Sequence, residues 1–229
     1  IAHFLGTAAN GIYSIANKFP NVFINFYNIL NLSWTETVSL HFDDEDRDEF
    51  LTETMTSLFK LFAAACFGIV ACMPFVFPIL INEKYVAGYD QILILMYAML
   101  FRVLVGLYSC IYVAQKNAKK IAYTSISAAI INITVNLILI NKIKIFAASI
   151  STLVAYALMF IYRWIDVKKY VDFKVNKILI MLLILIYLAT IFTYYLKDFL
   201  SAHFLIPHRT EGNPISKNLL PGSTSACQP

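Results

Sequence analysis

About six long apolar runs, separated only by short polar stretches, restrict what this chain can fold into more than any other feature. They lie at about 11–40, 51–81, 89–115, 118–141, 144–165 and 175–198. Each holds the ~20 residues that a helix needs to cross a hydrocarbon layer about 30 Å thick. Open strands in lipid would leave backbone groups without partners, and the runs lack the alternation of barrel strands. The expectation is an all-α, polytopic membrane helix bundle of about six transmembrane helices. Composition agrees, with 59% hydrophobic and 14% charged residues and a mean hydropathy of +0.68. A soluble domain carries nearer a quarter charged residues.

The polar breaks set the topology. Residues 41–50 (HFDDEDRDEF) are acidic, 82–88 form a short turn, and 115–120 (QKNAKK) are basic; 141–144 make a tight turn and 163–177 a longer basic link. Counted on alternate sides, Arg47, Lys116, Lys119, Lys120, Arg163, Lys168, Lys169, Lys174 and Lys177 fall together, against Lys84, Lys142, Lys144 and Lys197 on the other. The positive-inside rule places the richer side in the cytoplasm, so the first helix runs inward and position 198 ends outside. The net charge of +4 mostly reflects this asymmetry and suggests no nucleic-acid partner. Cys66, Cys72, Cys110 and Cys227 show neither disulfide nor metal-site spacing.

The predicted organisation is residues 1–10 as the end of a preceding helix or outer loop, 11–199 as the bundle, and 200–229 as a disordered or non-native tail. The tail collects Pro207, Pro214, Pro221 and Pro229 with a Gly-Ser-Thr-Ser run. The chain starts at Ile1 with no signal peptide, so it reads as a piece of a longer protein.

Candidate site residues are polar groups where lipid would penalise them. Steps of three and four put Lys18, Asn21, Asn25, Asn28 and Thr35 near one face of the first helix, beside Ser14 and Asn17. Such a stripe should face protein or a wet cavity; helix–helix hydrogen bonding is the plainer reading for any single Asn. Pro20 removes a backbone hydrogen bond and is expected to kink that helix. Arg102 lies mid-helix in Leu100-Phe101-Arg102-Val103-Leu104, with Gly106 and Ser109 on about the same face. An arginine there costs at least ~2.5 kcal/mol on insertion scales, so it should face inward, and no mid-membrane carboxylate offers itself as a partner. Asn132 and Asn136 add a second polar stripe with Ser125. Asp43-Asp44-Glu45-Asp46 reads as a solvated loop, and no nucleophile–base pair, metal cluster or phosphate loop appears, so neither an enzyme nor a cofactor is expected.

Gly11-Ile12-Tyr13-Ser14-Ile15-Ala16-Asn17-Lys18-Phe19-Pro20, then a helix ending in Ser33-Trp34-Thr35 before an acidic loop, resembles the bacterial polysaccharide and O-antigen flippases. These belong to the multidrug/oligosaccharidyl-lipid/polysaccharide exporter superfamily. Tyr112-Val113-Ala114-Gln115-Lys116-Asn117, the Asn132–Asn136 pair and Ala148-Ser149-Ile150-Ser151-Thr152 fit too, and the resemblance covers about residues 1–198. It implies helices eight to thirteen of a two-lobe transporter in the bacterial cytoplasmic (inner) membrane, with the N-terminal lobe missing. The implied activity is alternating-access translocation of a polyprenyl-diphosphate-linked oligosaccharide for surface polysaccharide such as lipopolysaccharide. Lys18 and Arg102 would hold the diphosphate, and Asn21, Asn25, Asn28, Asn132 and Asn136 would meet sugar hydroxyls. The implied partners are the bilayer, the lipid-linked oligosaccharide and the absent lobe. The alternatives are a multidrug exporter of the same superfamily, which would want acidic cavity residues, and a membrane enzyme of glycan assembly, which would need a catalytic cluster.

Overall fold

The computed structural model describes residues 2–172, 181, 184–185 and 187–192. The expected last span, 175–198, therefore lies mostly outside the described residues, and the expected tail, 200–229, wholly so. Residues 1–194 make one compact unit; the second, 195–229, also falls outside the description. All regular structure among the described residues is helical: α1 (Ala2–Ala16), α2 (Lys18–Leu40), α3 (Arg47–Leu80), α4 (Tyr89–Ala114), α5 (Ala118–Ile143) and α6 (Phe146–Val167), with a 3-10 turn at Glu83–Gly88 before α4.

Four of these helices, α3 to α6, are long and apolar enough to cross a membrane, which marks a multi-pass membrane protein. The 23-residue α2 has the length but is not one of the four. Its asparagines lower the hydropathy that its Phe, Ile and Leu residues supply. The expected first run, 11–40, is also divided. α1 ends at Ala16, and Asn17 separates it from α2, its Nδ2 donating to the Tyr13 carbonyl at 2.8 Å. Pro20 sits in the first turn of α2, where a missing N–H is tolerated, so the break comes before the proline. A second interruption lies at Gly6, whose φ of 82° departs from helical geometry within α1.

α3 runs for 34 residues, about 50 Å at 1.5 Å per residue, and overreaches a bilayer core. Asp48 and Glu49 in its first turn complement the helix dipole. α4 is the hub and touches every other element. On one flank, α2 and α3 pack on it and on each other. Phe23 and Tyr27 of α2 meet Phe62 of α3 edge-on, with ring centroids 6.1 and 5.4 Å apart. The Trp34 indole N–H donates to the Leu107 carbonyl at 3.3 Å. α5 and α6 form a hairpin on the other flank. Residues 187–192 are helical and reach α4 through Tyr97, whose ring centroid lies 4.5 Å from that of Tyr187.

Three polar segments share one end of the bundle. An Arg47 Nη donates to the Tyr170 carbonyl at 3.4 Å, and Lys120 Nζ lies 2.5 Å from the Tyr170 hydroxyl. The acidic loop before α3, the turn before α5 and the chain after α6 are thereby tied together.

Candidate functional site

The polar residues of α2 divide between two faces. Phe23, Ile24, Tyr27, Trp34 and Val38 are buried, and Asn31 is engaged at the edge of their side. Tyr27 Oη donates to Asn31 Oδ1 at 2.5 Å, and the Cys110 thiol of α4 approaches the same oxygen at 3.6 Å. Thr35 Oγ1 lies 3.2 Å from Cys110 Sγ. Lys18, Asn21, Asn25 and Asn28 are exposed, and none makes a side-chain hydrogen bond among the described residues.

At 3.6 residues per turn, Asn21, Asn28 and Thr35 recur every seven positions and form one line along α2. Phe26 also packs on Phe62, so α3 covers the opposite edge of α2. The Asn21–Asn28–Thr35 line is therefore turned away from α3. Lys18 and Asn25 lie further outward on the same open side.

A second stripe runs along α4. Arg102, Gly106, Ser109 and Val113 follow at steps of four, three and four, and each is at least partly exposed on this otherwise largely buried helix. The stripe lies between the surfaces that α2 and α6 cover: Gly106 meets the Tyr27 ring of α2, whereas Ser109 meets Arg163 of α6. A groove bounded by α2 and α6 and floored by α4 results, with carboxamides along one wall. Arg102 is half-buried in it, an electrostatic neighbour of the Tyr27 hydroxyl, and makes no hydrogen bond or ion pair among the described residues. Gly106 is required by the close approach: a Cβ there would lie 2.7 Å from Tyr27 Cζ and overlap the hydroxyl.

Asn132 and Asn136 lie elsewhere, on α5. Asn132 Nδ2 donates to Thr152 Oγ1 at 3.2 Å, and Ser151 Oγ donates to Asn132 Oδ1 at 3.3 Å. Both ends of the carboxamide thus join α5 to α6, the helix–helix role that membrane asparagines commonly fill. Asn136 is half-buried nearby without a side-chain hydrogen bond among the described residues.

The most buried cation among the described residues is one that the sequence places in the basic link after the fifth span. Arg163 is instead inside α6 and 1% exposed. Its guanidinium spans two neighbouring helices, donating to Thr124 Oγ1 of α5 at 2.6 and 3.1 Å. On α4 it donates to the Val105 carbonyl at 3.0 Å and to Ser109 Oγ. A turn further along α6, Asp166 is also buried. It accepts from Tyr112 Oη at 2.9 Å, Lys120 Nζ at 2.7 Å and Lys169 Nζ at 3.1 Å. The signal for this cluster is Ile161-Tyr162-Arg163-Trp164-Ile165-Asp166, two opposite charges three apart inside an apolar helix. The loop assignment concealed it.

Chemically, the groove offers one uncommitted guanidinium and several carboxamides, suited to holding anions and hydroxyls. Among the described residues, no three His, Cys, Asp or Glu side chains converge as metal ligands would. No family model, curated protein or solved structure significantly matches this chain.

Proposed function

We propose that this chain is the C-terminal lobe of a flippase that moves polyprenyl-diphosphate-linked oligosaccharide across the bacterial cytoplasmic membrane by alternating access. One observation carries the reading. Arg102, without a hydrogen-bond or ionic partner among the described residues, lies in a groove whose α2 wall is a line of exposed polar side chains. A guanidinium in an apolar segment is costly unless something anionic meets it. A diphosphate would fill that place, with Asn21 and Asn28 in reach of sugar hydroxyls and Lys18 further along the open side of α2. The resemblance over residues 1–198 supports the same substrate class. Asn132, with both polar atoms spent on α6, contributes through packing in this scheme.

A multidrug exporter of cations would want free carboxylates in the groove. The buried Asp166 is engaged by Tyr112, Lys120 and Lys169, and so offers a cation no free carboxylate.

The test is complementation of a flippase-deficient strain by the full-length gene carrying Arg102→Ala or Lys18→Ala, with membrane protein levels matched. Surface glycan is expected to fall strongly for Arg102→Ala and less for Lys18→Ala. Undiminished glycan in both variants would remove the anion-holding assignment.

A further inference from the structure

The α5–α6 hairpin carries a different feature on its outer side. A half-open cleft of about 230 Å³ lies between the two helices, lined by Tyr123, Ser127, Ala128 and Ile131 of α5 and by Met159 and Tyr162 of α6. α5 is the least enclosed of the four candidate spans, with 17% of its apolar window buried inside the protein. Ile126, Ile130 and Ile133 are all at least 58% exposed. A surface of this kind on a membrane-crossing helix is solvated by acyl chains.

One end of the cleft is marked. Tyr123 and Tyr162 flank it there, 72% and 54% exposed, as tyrosines do at the level of lipid headgroups. One helical turn before Tyr123 stands Lys119, with Lys116 in the preceding turn. Both are exposed and without an ion-pair partner among the described residues. Just past the end of α6, the exposed Lys169 pairs with Asp166 at 3.1 Å. The nearby carboxylate, Asp166, is buried and already held by Lys120 and Lys169. An apolar cleft with hydroxyls at its mouth therefore opens beside Lys116 and Lys119, two exposed cations without an ion-pair partner among the described residues.

We propose that this cleft is a site for an anionic phospholipid, one acyl chain lying between α5 and α6 and the phosphate resting against Lys119 and Lys116. Charge complementarity selects the lipid: a basic rim beside a cleft between membrane helices favours an anionic headgroup over a zwitterionic one. The cleft is on the other side of the α5–α6 pair from the Arg102 groove, so the site does not depend on the transport reading.

The test uses the full chain in phosphatidylcholine vesicles with trace spin-labelled phosphatidylglycerol or spin-labelled phosphatidylcholine, comparing the motionally restricted fraction of each. The expected preference for phosphatidylglycerol is about fivefold, of the order that one or two lysines near a surface supply. Raised salt should collapse it, as should Lys116→Gln with Lys119→Gln. Both lysines are exposed, so helicity by circular dichroism should stay unchanged. Ser127→Trp, which fills the cleft from an exposed position, should reduce the restricted fraction of both lipids. Equal restriction of the two lipids by the unmodified chain would overturn the proposal. So would a preference that survives the lysine changes, or a Ser127→Trp variant that holds phosphatidylglycerol as before.

Discussion

Replacing Arg163 separates two contributions that the structure superimposes on one side chain. The guanidinium joins α6 to α5 and α4 through four partners, Thr124, Ser109 and the Ile121 and Val105 carbonyls. Hydrogen bonds between membrane helices average about 0.6 kcal/mol in double-mutant cycles, so these links together contribute about 2 kcal/mol. No orphan penalty adds to this, because each hydroxyl also bonds within its own helix. Ser109 Oγ donates to the Val105 carbonyl at 2.7 Å and Thr124 Oγ1 to that of Lys120 at 2.9 Å. Removing a buried cation also recovers its desolvation penalty. Arg163→Met, which keeps most of the volume, should therefore lose no more than about 2 kcal/mol. Arg163→Ala adds a cavity at a position only 1% exposed, and emptying such a site costs about 2 kcal/mol or more beyond the lost bonds. Unfolding of purified protein in bicelles, titrated with dodecyl sulfate and followed by circular dichroism, gives both differences. Adding Thr124→Val should cost about 0.6 kcal/mol less in the Arg163→Met background than in the original chain. Equal losses for Met and Ala would refute the division, since they would mean that charge rather than volume holds the three helices together.

Gly106→Ala should loosen α2 from α4, costing about 1–3 kcal/mol in the same titration, because its Cβ would overlap the Tyr27 hydroxyl. Combining it with Tyr27→Leu should recover part of that loss relative to the sum of the single changes; strict additivity would mean that the close approach does not limit packing. Asn132→Leu should cost about 1 kcal/mol of stability, through its lost bonds to Thr152 and Ser151, and leave glycan export near normal at matched expression. Asn28→Leu should do the reverse, with stability unchanged and export reduced; the opposite pattern in the pair would exchange their roles.

The helical class was legible because apolar length and the need to satisfy every backbone group leave little choice in lipid. Less legible was which polar residues are spent within the protein. Asn21, Asn28 and Asn132 look alike in sequence, each an amide in an apolar run. The difference lies in the partner helix: Asn132 meets Ser151 and Thr152 after the α5–α6 turn, whereas Asn21 and Asn28 face the side that α3 leaves open. Arg163 was hidden for a related reason. A cation a few residues from a helix end ordinarily extends to the headgroups, and only the arrival of Thr124 and Ser109 from two other helices makes burial tolerable.

That contrast bears on Arg102. Both arginines sit in apolar helices, and the protein supplies one with hydroxyls and a carbonyl while leaving the other without a hydrogen bond among the described residues. Under the proposed function, the Arg102 guanidinium takes its anion from the substrate. Arg102→Lys becomes the informative variant. A point charge could still attract a diphosphate but could not grip it at two oxygens, so partial export by Arg102→Lys and none by Arg102→Ala would identify an anion-holding side chain, while equal export by the two would not.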